Sequence, residues 1–328
     1  MNRGTLLDII GATPLVRLSH FGPDLAPPRE IWAKLEMLNP GGSMKDRMAL
    51  RMIQAAEREG RLKPGDWIVE PTSGNTGFSL AMIAAVRGYR LVLVVMDKVS
   101  NEKIRTLEAL GAEVVVCPTD VPPDDPRSYY SVAARIARER GAFYPNQYAN
   151  PNNPRAYYET LGPELWAQME GRIDALFAGM GTGGTLSGTG RFLKEKDPKI
   201  RIIGIDPEGS VYAPYVREGR TITPHPYDVE GIGEDFFPET MDLSVVDDAV
   251  TVTDEEAFRF THLLARREGI FAGGSSGAVL AGTLRYLQAH PELQRVVIIL
   301  PDRGERYLSK VYNPDWLKER GYAIEEEG

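Results

Sequence analysis

Short apolar, β-branched runs alternate along this chain with longer stretches of helical period, and that alternation constrains the fold more than any other feature. The runs are Trp67–Glu70, Leu91–Met96, Glu113–Cys117, Ala175–Gly179, Arg201–Asp206, Ala249–Val252 and Val296–Leu300. Helical patterns fall at Met44–Ile53, Thr76–Arg87, Asn101–Leu110, Ser131–Arg140, Tyr157–Gln168, Thr185–Glu195, Glu255–Glu268 and Gly277–Ala289. Parallel strands need a long crossover, usually a helix, so this order predicts α/β architecture. Thr253-Asp-Glu-Glu256 adds a capping box at one helix start, hydroxyl and carboxylate each satisfying an orphan backbone donor. A length of 328 residues suggests about two domains. The Asn/Pro-rich stretch Asn146–Pro154 is the expected boundary between them. Glu208–Asp235, long and without period, reads as a lid or site loop.

Charge and composition remove several classes of function. A net charge of −8 argues against nucleic acid as a partner and leaves no basic patch for a membrane. No apolar run approaches the ~20 residues of a membrane-spanning helix, and Met1–Gly4 leads straight into folded-looking sequence. Neither a signal peptide nor a membrane span is expected, and the cytoplasm is the default compartment. The single cysteine, Cys117, excludes an internal disulfide and reads as a core residue. His20, His225, His262 and His290 show no metal spacing, so no metal site is expected.

Four loops carry the chemistry. In Asn39-Pro-Gly-Gly-Ser-Met-Lys-Asp-Arg47, a turn of small residues clears the space before Lys45 at the start of a helical pattern. A lysine so placed can form a Schiff base with a carbonyl cofactor rather than sit on a solvated helix face. Glu70-Pro-Thr-Ser-Gly-Asn-Thr-Gly77 brings the hydroxyls of Thr72, Ser73 and Thr76 to a helix N-terminus, an anion site that suits a small carboxylate. Gly179-Met-Gly-Thr-Gly-Gly-Thr185 lets the backbone approach a ligand closely and would seat a phosphate without any lysine or arginine. Ala272-Gly-Gly-Ser-Ser-Gly277 opens a further helix, where a serine either caps the helix or meets a ligand ring nitrogen. Leu300-Pro-Asp302 ends the last strand, at the edge where α/β proteins place site residues.

The third loop also supports a rival. Gly179, Gly181 and Gly184 satisfy G-x-G-x-x-G, and Asp206 follows at the end of the next strand, which together match a dinucleotide fingerprint. An NAD-dependent oxidoreductase would explain that segment and leave Lys45 and the Ser-Gly-Asn-Thr loop without a role. A catalytically quiet binding homologue is a third reading.

Taken in order, these loops resemble the pyridoxal-phosphate (PLP) β-family of fold type II, the cystathionine β-synthase and cysteine synthase family, with the cystathionine β-synthase catalytic core the nearer. The resemblance runs from Ile10-Gly-Ala-Thr-Pro-Leu-Val16 to Tyr307-Leu-Ser309. It rests on Asn39–Arg47, Glu70–Gly77, Asn146-Gln-Tyr148, Gly181–Thr185, Glu230-Gly-Ile-Gly233 and Gly273–Gly277. It implies two open twisted α/β domains of the tryptophan synthase β-subunit-like architecture. Residues 40–146 would form a smaller, mobile domain, and 1–39 with 147–328 a larger PLP-binding one.

By the same resemblance Lys45 would hold PLP and act as general base, and Asn75 would bond the cofactor's ring oxygen. Gly181, Thr182, Gly183, Gly184 and Thr185 would cradle its phosphate and Ser275 would meet the pyridine nitrogen, with Pro301 and Asp302 beside the cofactor. Thr72, Ser73, Gly74, Thr76 and Gln147 would grip the amino-acid carboxylate, with Tyr148 and Gly231 nearby. The implied reaction is replacement at the β-carbon of serine or an O-activated serine by a thiol, in a homodimer. Serine with homocysteine is preferred over O-acetylserine or O-phosphoserine with sulfide. Ser276 and Gly304-Glu-Arg-Tyr-Leu308 look more like cysteine synthase, and Glu234 stands where the animal enzymes have tyrosine. Tyr312–Lys318 looks like a linker that leads to a regulatory module in many relatives, and neither that module nor a haem-binding extension is expected here.

Overall fold

The computed structural model describes residues 4–22, 25–72, 74–97, 99–122 and 125–324. In chain order the strands are β1 (Leu15–Arg17), β2 (Glu30–Leu35), β3 (Trp67–Pro71), β4 (Arg90–Met96), β5 (Glu113–Cys117), β6 (Ala175–Gly179), β7 (Arg201–Pro207), β8 (Asp248–Val252) and β9 (Arg295–Leu300). The α-helices are α1 (Lys45–Arg58), α2 (Asn75–Arg87), α3 (Asn101–Ala109), α4 (Tyr129–Arg140), α5 (Asn152–Glu159), α6 (Leu161–Gln168), α7 (Gly184–Lys196), α8 (Tyr212–Glu218), α9 (Asp254–Glu268), α10 (Gly274–Ala289) and α11 (Pro314–Glu319). They divide into two compact units. One takes the described residues up to Ile10 with Asn39–Asn153, the other Gly11–Leu38 with the described residues from Pro154 onward.

The first unit is a parallel sheet of order β3-β4-β5. Its strands are apolar on both faces because both are covered. Ile68, Leu91, Leu93 and Val95 pack with Ala49 and Ile53 of α1 and Leu80 and Ile83 of α2. Their alternate neighbours Val69, Val92 and Val94 join Cys117 against Val132, Ala133 and Ile136 of α4. The period of two along each strand thus feeds two separate cores. Cys117 is a buried free thiol, as its place in an apolar run predicts.

The second unit is a six-stranded sheet of order β1-β2-β9-β6-β7-β8, parallel except for β1. Phe177, Ile203, Ile205, Val250, Val296 and Ile298 meet Phe258 and Leu264 of α9 and Val279, Leu280 and Leu287 of α10. The Thr253–Glu256 capping box forms at the start of α9, with Glu256 N–H donating to Thr253 Oγ1 and Thr253 N–H to Glu256 Oε2.

Four sequence expectations change. The smaller unit does not begin at residue 40 or end at 146. Leu7, in a 3-10 helix at Leu6–Ile9, buries itself in the α1–α2 core, and the amides of Asn146 and Gln147 are tied to Glu70 of β3. The single helix expected over Tyr157–Gln168 is two, α5 and α6, parted at Thr160. β1 and β2 escape a search for apolar runs because β2 carries Lys34 in its interior, fully buried. Its amine donates to Thr13 O at 2.6 Å, Glu164 Oε2 at 2.9 Å and Gln168 Oε1 at 2.8 Å. Within Glu208–Asp235, Tyr212–Glu218 forms α8.

Asp206 explains that helix. It is fully buried at the end of β7 and its Oδ2 accepts the Ala213 N–H at 2.7 Å, inside the first turn of α8. Burial pushes its carboxyl from 3.8 up to about 7, against the hydrogen bonds from Ser210 and the Ala213 and Tyr212 amides. The folded chain therefore keeps a proton in this window that the unfolded chain has released. The group's stabilising contribution is complete below the unfolded value and is lost as pH rises through about 7. Asp206→Asn preserves the acceptor and removes the titration. Urea denaturation at pH 5 and pH 8 should show wild type losing stability relative to the variant, by about 2–4 kcal/mol. Equal pH responses of the two proteins would contradict this account.

Candidate active site

In the first unit Lys45 is the first residue of α1, half-buried, with Met44 as its cap. The turn before it closes through Gly42 N–H to Asn39 O at 2.8 Å, and Gly42 has a φ of 79°. The next residue, Asp46, sets this geometry. Its Oδ2 accepts the Gly41 N–H at 2.6 Å and its Oδ1 accepts the Ser79 hydroxyl of α2 at 2.6 Å. A Cβ on Gly41 would lie 2.2 Å from Asp46 Oδ1, so the turn needs glycine there. Ser79 Oγ also lies 3.1 Å from Asn75 O. A fully buried carboxylate thus ties the start of the Lys45 helix to the helix that Asn75 begins.

The Ser-Gly-Asn-Thr loop leaves β3 and opens α2, with Gly74 as N-cap and no side-chain cap of its own. Thr72 and Thr76 are buried, and Thr72 Oγ1 accepts the Gly74 N–H at 3.3 Å. A Cβ on Gly74 would meet nothing within 4 Å, so its backbone is open to a ligand. The Thr76 hydroxyl donates to Gln147 Oε1 at 2.7 Å. That spends its one proton on orienting Gln147, and Gln147 Nε2 has no hydrogen-bond partner among the described residues. Thr72, Gly74, Asn75, Thr76 and Gln147 are thereby gathered around one helix N-terminus. Tyr148, half-buried, follows Gln147 directly. Ser73 lies outside the described residues.

In the second unit the Gly179–Thr185 loop joins β6 to α7. Gly183 caps the helix at a φ of 85°, a left-handed conformation that favours glycine. Thr182 and Thr185 are buried at this N-terminus. The loop is braced from outside: Tyr212 Oη donates to Gly181 O at 2.6 Å and Thr240 Oγ1 to Thr182 O at 2.5 Å. Burial, then the nearby Glu234 and Asp206 carboxylates, hold the Tyr212 phenol far above its ordinary 10, so it stays a donor. A Cβ on Gly181 would come within 3.3 Å of Gly231 O, and one on Gly231 within 3.9 Å of Ser275 Oγ. The structure so places the Gly181 loop, Gly231 and Ser275 at α10's N-terminus around one point. Pro301 and Asp302 follow β9, the strand beside β6. Asp302 backs the serine loop: its O accepts the Gly273 N–H at 3.2 Å and its Oδ2 the Tyr307 hydroxyl.

The family model described as "Pyridoxal-phosphate dependent enzyme" matches residues 6–302. The chain belongs to that family. Cystathionine β-synthase of Apis mellifera is 47% identical over 97% of this chain and 63% of its own length. That of Oryctolagus cuniculus is 46% identical over 98% and 58%. The chain therefore spans less than two thirds of these curated relatives. A crystal structure of O-ureido-L-serine synthase superposes with a TM-score of 0.88 at 37% identity, covering 100% of this chain and 98% of the other.

Pyridoxal 5'-phosphate is the cofactor of this pyridoxal-phosphate dependent enzyme, and its donor sets fit that group. Gly183, at positive φ, packs so closely on Met241 that a Cβ would lie 2.5 Å from its Cα, and it caps α7 with no side chain over the helix amides. At α10's N-terminus the buried Ser276 Oγ has no hydrogen-bond partner among the described residues. The dinucleotide reading loses its acid, since Asp206 is buried and turned to the α8 amides. Asp46, Tyr212 and Thr240 support the site without having been singled out in the sequence. Only Asp46 gave a signal, a carboxylate within the Lys45 motif beside paired glycines. Among the described residues no group of His, Cys, Asp and Glu could hold a metal ion, and no helix is long and apolar enough to cross a membrane. Gly183→Ala must place a Cβ against Met241 at positive φ, a strain on the order of 1–3 kcal/mol before any clash. It should lower the apoprotein's melting temperature by several degrees and weaken PLP binding at least tenfold, measured by cofactor titration.

Proposed function

We propose that the chain catalyses β-replacement, in which a thiol displaces the β-substituent of serine or of an O-activated serine. The first pair is serine with homocysteine, giving cystathionine and water. The observation that carries this reading is the 46–47% identity to two cystathionine β-synthases across 97–98% of the chain. When bound, PLP supplies an electron-withdrawing ring into which the electrons at the substrate's α-carbon can delocalise.

The chain's own residues do the rest. Lys45 Nζ would hold the cofactor's carbonyl carbon, and its amine is the group suited to move protons at the substrate's α-carbon. As a free amine it takes the α-proton and gives it to the departing hydroxyl, which leaves as water. The thiol's proton then passes through the same amine to the α-carbon, so the amine ends as it began. Asn75 would bond the ring oxygen, and Gly181–Thr185 would hold the phosphate with amides and hydroxyls. Ser275 would meet the pyridine nitrogen, with Pro301 and Asp302 beside the cofactor. A neutral hydroxyl there stabilises a pyridinium less than a carboxylate would, which favours elimination over transamination. The carboxylate would fall to Gln147 Nε2 with Thr72, Gly74 and Thr76, Thr76 orienting Gln147 and Tyr148 following it. The enzyme works in this reading as a cytoplasmic homodimer.

A second reading is O-acetylserine or O-phosphoserine with sulfide. The full-length likeness to O-ureido-L-serine synthase supports it, as do Ser276 and Glu234. Purified protein should show a visible cofactor absorbance band, lost with turnover in Lys45→Ala. Parallel assays should give cystathionine from serine and homocysteine. Turnover of acetylserine and sulfide alone would select the second reading, and a wild-type protein that PLP cannot load would remove both.

A further inference from the structure

We infer that Glu70 is a positioning residue for the substrate carboxylate, acting through a two-point backbone clamp on Asn146 and Gln147. The inference rests on the reading above that Gln147 meets that carboxylate. The chain beyond α4 runs parallel to the edge of β3, with Phe143 N–H on Trp67 O at 2.8 Å and Val69 N–H on Phe143 O at 3.0 Å. It then turns at Asn146, whose φ of 50° is uncommon for a side-chain-bearing residue. One buried carboxylate holds that turn. Glu70 Oε2 accepts the Asn146 N–H at 2.9 Å and Oε1 the Gln147 N–H at 3.1 Å. Asn146 O in turn accepts the N–H groups of Ala149 and Asn150, and Asn153 Nδ2 donates to Gln147 O at 2.8 Å.

The clamp fixes the backbone of Gln147, and Thr76 fixes its side chain. With Oε1 taken by the Thr76 hydroxyl, the Nε2 donors are what this 4% exposed residue has left for a ligand. A donor held in one place binds a carboxylate without losing rotamer freedom at that moment. The arrangement is costly to keep. Burial pushes the Glu70 carboxyl from 4.5 up to about 7, and the two amides only partly offset this. An acid that served β3 alone could be replaced by an apolar residue, as at its neighbours Ile68 and Val69. Glu70 is spent instead on two amides at the residue whose side chain reaches the anion loop.

The test compares L-serine with ethanolamine, the same amino alcohol without the carboxylate, by absorbance titration of PLP-loaded protein. Glu70→Gln turns one acceptor into a donor facing an N–H, and Glu70→Asp withdraws both oxygens by one methylene. Either should raise the serine dissociation constant about tenfold or more and leave that of ethanolamine within about twofold. In apoprotein, amide hydrogen exchange across Tyr144–Tyr148 should quicken in either variant while α1 stays protected. Unchanged serine affinity, or equal losses for serine and ethanolamine, overturns the clamp. Gln147→Ala separates the two claims. Normal serine binding in that variant removes the carboxylate reading itself, whereas impaired binding there with normal binding in Glu70→Gln removes only the clamp.

Discussion

A strand followed by a helix that must run back along the same sheet ends its turn with unpaired helix amides at the sheet's carboxyl edge. In this chain that turn recurs at Gly74 and Gly183, and Gly273 opens α10 after α9; each is the N-cap of a helix and none has a side-chain cap. An N-terminus without a cap leaves its first N–H groups for something else. Glycine serves there because a capping serine or aspartate would occupy the donors that a phosphate or carboxylate needs. Each of these loops depends on this withheld capping. Side-chain caps do form at Ser100 on α3, Ser128 on α4, Thr253 on α9 and Asn313 on α11, while α1, α6 and α8 also go without one.

Uncapped turns are soft, and the structure stiffens them from behind with buried polar groups. Asp46 pins the turn before Lys45, Tyr212 and Thr240 pin carbonyls of the Gly181 loop, and Asp302 pins Gly273. Each brace bonds backbone rather than ligand, which keeps the loop's outward donors unused. The arrangement has an energetic cost, because a buried carboxyl loses hydration that a pair of amides does not fully restore. Glu70 and Asp206 show it directly, both held near 7. Stability is given up at these points for a site whose donors do not reorganise when a ligand arrives.

What could be read from residues alone follows the same division. The apolar runs from Trp67, Leu91, Glu113, Ala175, Arg201, Ala249 and Val296 all became strands, because a doubly covered parallel strand must be apolar along its whole length. The glycine-rich loops were legible for a similar reason: close backbone approach leaves no alternative residue. β2 was not, since Lys34 breaks its run and its partners Glu164 and Gln168 are more than a hundred positions away. The limits of the smaller unit were misplaced because Leu7 joins its core from across the intervening chain. Braces such as Tyr212 and Thr240 left no trace, as a tyrosine or threonine that bonds a carbonyl looks like any other until the fold supplies the carbonyl.

The neutrality of the loops has a chemical reason beyond capping. An aldehyde cofactor condenses with any accessible primary amine, so a lysine recruited to hold its phosphate would compete with the one meant to hold its carbon. Glu70–Gly77, Gly179–Thr185 and Ala272–Gly277 contain no lysine at all. Amides and hydroxyls can bind the phosphate dianion through aligned dipoles without offering a nucleophile. Lys34, deep in the second unit, is kept from such chemistry by three acceptors around its amine. Lys45 is left as the amine of the site motifs, at the first position of α1.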